Sequence, residues 1–171
     1  MMISRHRTVV LFVALCMNLQ AGSTQAQSTT AHNLSLSNAV QSVDVQGRHV
    51  IVMDVKGDLP GSLTLRVTTD ASGAVKAGEW ALNVSYVEFG PIAPDGDHEE
   101  SLIQRGVLKG HVTSGSALLD GNGVLVGLSG IQLAVDGATH EFSAVKAGGG
   151  SIVASELNAT AKSNGSVALT F

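Results

Sequence analysis

The sequence predicts an all-β chain, folded as a single-domain antiparallel β-barrel or β-sandwich of about 8–10 short strands. Three observations predict it. Apolar and polar residues alternate at period two, as in Leu63, Leu65 and Val67 against Thr64, Arg66 and Thr68, the pattern of a strand buried on one face. Turn-forming clusters recur, among them Asp70-Ala71-Ser72-Gly73 and Asp120-Gly121-Asn122-Gly123. Asp at the first position and Gly at the fourth suit a type I turn closed by a glycine bulge. Glycines also interrupt the apolar runs between Ser101 and Asp136, which weakens a flat strand but suits one that bends sharply.

The N-terminal segment stands apart from this pattern. Arg5, His6 and Arg7 precede an apolar run over residues 9–19, and Thr24-Gln25-Ala26 follows. That arrangement predicts a cleavable secretory signal peptide over residues 1–26, of bacterial character, whose apolar run is too short to span a bilayer. Leu15 is too bulky for the position before a lipidated cysteine, so Cys16, the only cysteine, leaves with the leader. The remaining chain is then expected to be periplasmic or extracellular and free of thiol chemistry. Arg5 and Arg7 leave too, so 8 of the 10 basic residues face all 14 acidic ones. Nucleic-acid binding is disfavoured, because phosphate contacts need a basic surface.

Residues 27–33 are small and polar and read as a flexible N-terminal arm, with one β domain over residues 34–171. Leu34 and Leu36 open an alternating segment, although Ala39, Val40 and Val43 would also fit a helical turn. The segment from His49 to Val55 is apolar at both parities, as in a strand covered on both sides. Trp80, Leu82, Val84 and Tyr86 share a strand face. Leu102, Gly106, Leu108, Gly110 and Val112 share the next one, opposite Arg105, Lys109, His111 and Thr113. Val124, Val126 and Leu128 precede a change of parity to Ile131, Leu133 and Val135, which places a β-bulge at Ser129-Gly130. A further strand is expected over residues 141–145. Val153, Leu157 and Ala161 would share one side of the strand after it, and Val167, Leu169 and Phe171 alternate to the end.

Chemistry-bearing patterns are few. Asp95, Asp97, Glu99 and Glu100 lie in the longest break between strands, and alternating carboxylates in such a loop can wrap a hard cation such as calcium. The spacing lacks the EF-hand glycine and bidentate acid, so a solvated acidic loop is the simpler reading. Otherwise no cofactor is indicated. No histidine pair has a zinc spacing, no nucleophile elbow is present, and no glycine loop leads into a helix able to hold phosphate. His111 and Glu141 would be within cross-strand reach. Trp80, Tyr86 and Phe89 hold the aromatic surface of this part of the chain. They form the candidate ligand or partner rim, although Trp80 among Leu82 and Val84 also fits a core.

These features favour an exported, non-catalytic β-domain that binds a protein or small apolar ligand, or serves as a surface component. Two alternatives are weighed. The glycine-rich hairpins resemble in texture the eight-stranded barrels of the dirigent and allene oxide cyclase type, without a shared motif. That resemblance implies an enzyme or lipid carrier with a hollow interior. The terminal Val167-x-Leu169-x-Phe171 is similar to the last strand of bacterial outer-membrane barrels. Strands nearer six residues and scarce aromatics argue against a membrane barrel.

Overall fold

Leu63, Leu65 and Val67 point into the molecule, and Leu82 and Trp80 pair across from Leu63 and Leu65 on the next strand. Alternation of this kind continues around a complete ring. The computed structural model describes residues 29–92, 99–155, 157 and 164–171, and in it eight antiparallel strands close a barrel. They are β1 (Ala31–Val43), β2 (His49–Gly57), β3 (Gly61–Thr69), β4 (Val75–Phe89), β5 (Glu100–Leu119), β6 (Leu125–Ala138), β7 (Gly149–Ser155) and β8 (Asn164–Thr170). Each pairs with its chain neighbours, and β1 pairs with β8 from Ala31↔Thr170 to Leu36↔Gly165. Thr30 and Phe171 exchange reciprocal backbone hydrogen bonds beyond that ladder, and the His32 ring stacks on Phe171 with centroids 4.8 Å apart. β1 therefore begins three residues ahead of the expected domain start, and it contains no helical turn.

The strands run from 7 to 20 residues, not the six or so expected. Glycines lie inside them, as expected of strands that bend: Gly106, Gly110 and Gly115 are all within β5. Bulges bend the ladders instead of ending them. Arg105 is the extra residue opposite Val84 and Ser85, and Thr113 is another opposite Leu133 and Gln132. The bulge expected at Ser129-Gly130 is present, between Leu128 and Ile131 of β6. Because each bulge reverses parity, Leu102 faces out while Leu108 and Val112 face in. Likewise Leu125 is buried, whereas Val124 and Val126 are exposed. On β7, Ile152 and Ala154 turn inward and Val153 outward. The outer face of β2 is open, with Val52 exposed, so that strand is covered on one side only. The strand expected over residues 141–145 is replaced by a short 3-10 helix, η1 (His140–Phe142).

The interior is solid. Ile51, Met53, Leu65, Val67, Leu108, Ile131 and Ile152 have no exposed surface. A side chain out of reach of a water-sized sphere cannot line a chamber holding one, so packing and not a cavity fills the ring. Leu59 and Phe142 belong to this core from the end that carries Thr30 and Phe171, and Leu125 and Leu157 from the opposite end. Gln41 ties that opposite end together, its Nε2 donating to the carbonyls of Leu125 (3.0 Å) and Leu157 (2.7 Å).

Three hairpins at the Leu125 end use one turn. Asp44, Asp70 and Asp120 each accept through Oδ1 from the amides two and four residues ahead, at 2.8–3.0 Å. The closing glycines Gly47, Gly73 and Gly123 have φ of 75°, 85° and 78°, a region that glycine enters without a Cβ clash. The Asp70 and Asp120 turns match expectation, and the one at Asp44 repeats them. The Lys76 ammonium at 2.8 Å, followed by the Ser72 hydroxyl, holds the Asp70 carboxyl well below the usual carboxylate range. The Arg48 amide is the largest influence that lowers Asp44. A depressed folded pKa contributes stability that is complete above the unfolded value of about 4 and is lost as pH falls through the folded value. The urea midpoint is therefore expected to drop on acidification from pH 5 to pH 2. The drop should be smaller in Asp70→Asn, which keeps an oxygen acceptor but cannot titrate; equal drops in the two proteins would contradict this assignment.

Candidate functional site

The polarity of the wall decides where binding can occur. Mid-height on the outer face, Arg66, Glu79 and His111 stand side by side on β3, β4 and β5. Arg66 approaches Glu79 at 3.5 Å, and His111 Nδ1 lies 2.9 Å from Asp136 Oδ1. A shallow open groove of about 620 Å³ runs between these residues, Ala81 and Lys109. Its charges are largely satisfied by one another, and exposed pairs of this kind are worth little. Glu141 bonds Arg105 Nε at 2.8 Å, so the expected approach of His111 to Glu141 does not form.

Apolar exposure gathers elsewhere. The β3–β4 ladder ends at Gly61↔Val84 and the β5–β6 ladder at Leu108↔Ala138. β4 and β5 nevertheless continue together, from Ser85↔Gln104 to Phe89↔Glu100. The result is a two-stranded arm reaching about 17 Å beyond the ring, at about 3.3 Å per residue. Val87, Phe89 and Leu102 lie on one face, and Tyr86 and Ile103 on the other. Phe89 is 61% exposed, Leu102 64% and Ile92, just past the strand, 76%, so these side chains contribute little to the core. Replacing Phe89 and Leu102 together by serine should change unfolding free energy by less than about 1 kcal/mol, as read from urea denaturation. A larger loss would mean that the arm is part of the packed fold.

Of the three expected rim residues, Tyr86 and Phe89 are on this arm. Trp80 is not: it is 3% exposed and belongs to the interior, where its indole Nε1 donates to the Ala134 carbonyl at 2.9 Å. Among the acidic residues proposed for calcium, Asp95 and Asp97 lie outside the described residues. Glu99 accepts the Gly90 amide through its carbonyl at 2.8 Å, and Glu100 starts β5 opposite Phe89. Among the described residues no three His, Cys, Asp or Glu side chains converge on a point able to hold a metal. No protein-family model matches the chain, and neither curated proteins nor solved structures give a match.

Val87 and Leu102 are missing from the rim expected from sequence. Their signal was present: Tyr86-Val87 and Leu102-Ile103 are apolar at consecutive positions. A strand with one buried face does not need that, whereas a ribbon exposed on both sides displays it as surface.

Proposed function

We propose that the chain is an exported, non-catalytic β-domain that works through its surface, with the β4–β5 arm as its contact with a partner protein. One observation carries this reading. The ring is filled with aliphatic side chains, while Tyr86, Val87, Phe89, Ile92 and Leu102 are exposed together on one projection. Clustered apolar and aromatic exposure is the usual character of a protein contact. The filled interior speaks against a lipid carrier or a barrel enzyme of the hollow kind. An apolar interior with Arg66, Glu79, Lys109 and His111 outside inverts the arrangement that lipid demands. That inversion, and not strand length, now weighs against the outer-membrane alternative. The helices tell nothing on this point: among the described residues none is long and apolar enough to cross a membrane, and barrels cross with strands.

The test uses a photo-crosslinking amino acid placed at Tyr86 or Phe89, with Val153 on the opposite wall as control, in cells producing the full chain. A discrete adduct from the arm positions and none from Val153 is the expected result. No adduct, or the same adducts from all three positions, would sink the reading. N-terminal sequencing of the exported product should begin at Gln27.

A further inference from the structure

The charges on the arm add a partner chemistry to its apolar side chains. Around the ring, carboxylates sit against cations: Asp44 against Arg48 at 2.7 Å, Asp70 against Lys76 at 2.8 Å, and Glu141 against Arg105 at 2.8 Å. Glu79 has Arg48 at 3.4 Å and Arg66 at 3.5 Å. The arm is different. Between Ser85 and Gln104 the sequence holds no lysine or arginine, while Glu88 and Glu100 are in the strands of the arm and Glu99 adjoins them. Glu88 is exposed and forms no ion pair with a described lysine or arginine. Arg105, at the base of the arm, is taken by Glu141. Cross-strand partners share a face, so Glu100 stands beside Phe89 on one side of the ribbon, and Glu88 beside Ser101, next to Tyr86, on the other. Each apolar face is therefore bordered by a carboxylate.

We propose that the partner is a protein whose apolar groove is bordered by lysine and arginine. Val87, Phe89 and Leu102 fill the groove, and the carboxylates meet its cationic border, which sets orientation and speeds encounter. The same charges disfavour other occupants. An anionic lipid surface or a nucleic acid would be repelled. A second copy docking arm to arm would bring two sets of carboxylates together with no cation between them. This inference rests on the arm being the docking surface.

Charge reversal in the full chain tests it. A photo-crosslinking amino acid at Phe89 reports docking in cells. Glu88→Lys and Glu99→Lys are introduced together, and Asp54→Lys with Asp136→Lys, exposed on β2 and β6, make the same change of net charge on the ring. The discrete adduct should fall at least about 10-fold on reversal in the arm and less than about 2-fold on reversal in the ring. Salt gives a second reading without mutation. In extracts of the same cells, raising NaCl from about 50 mM to about 1 M contracts the screening length to about 3 Å. The adduct should then fall by a similar factor, whereas a purely apolar contact would hold. An adduct that survives charge reversal, or one that survives high salt, would overturn the cationic partner and leave the docking surface standing. An adduct of twice the chain's mass would assign the arm to a second copy and overturn it likewise. If no adduct forms, both readings fall.

Discussion

Replacing Trp80 by alanine should cost about 3–5 kcal/mol, the range for removing a buried aromatic side chain from a packed core. The side chain is 3% exposed, so the loss is not relieved by solvent filling the space from outside. Two contributions add. The removed ring leaves a void among Leu65, Leu82 and their neighbours, and the Ala134 carbonyl loses the indole hydrogen bond at 2.9 Å. Trp80→Phe separates them: it keeps most of the ring volume and loses the bond, so about 1–2 kcal/mol is expected. Trp80 is the sole tryptophan, so far-UV circular dichroism in a urea titration is the measurement, since fluorescence disappears with the residue. A loss below about 1 kcal/mol for the alanine variant would show that the indole is not a structural centre.

Gly110→Ala should be at least as damaging, by about 3 kcal/mol or more, although it adds a single methyl group. Gly110 lies directly opposite Trp80 on β5, and the indole crosses the space where a side chain would stand to reach β6. A Cβ built there overlaps the Ala134 carbonyl and comes within 2.8 Å of Trp80 Nε1. The obstruction is backbone oxygen, which moves only if β5 and β6 separate. Gly110 and Trp80 should therefore be coupled. In the Trp80→Ala background the clash with Nε1 is gone and only that with the Ala134 carbonyl remains, so the double variant should be more stable than the summed single effects by about 1 kcal/mol. Strict additivity in the same urea titrations would refute the shared-space explanation.

Alternation was readable where strands are regular. Leu63, Leu65 and Val67, and Trp80, Leu82 and Val84, keep one parity throughout, and all six are buried. It failed where bulges change parity without changing composition. Leu102 and Leu108 share a parity in the sequence, but Arg105 between them is an extra residue in the ladder, so they face opposite ways. Glycine was less specific. Gly106 and Gly110 read as bends within a strand, and each lies where another part of the chain crosses closely, a role that composition does not separate from a bend. Similar peptides need not be similar structures. Ala74-Val75-Lys76-Ala77-Gly78 leads into β4, while the same five residues at 144–148 connect η1 to β7. The arm was half legible: its aromatics were noticed, but where β3 and β6 stop beside it depends on ladder lengths that no local pattern encodes.

The seam between β1 and β8 sets an order of events during synthesis. Thr30 and Phe171 lie far apart in sequence and meet beside the β1–β8 ladder, so the ring cannot latch until β8 has left the ribosome. Until then each nascent species has two open sheet edges and lacks the contacts of greatest sequence separation, a topology that folds slowly. Deleting residues 165–171, the β8 half of that ladder, should leave both edges open.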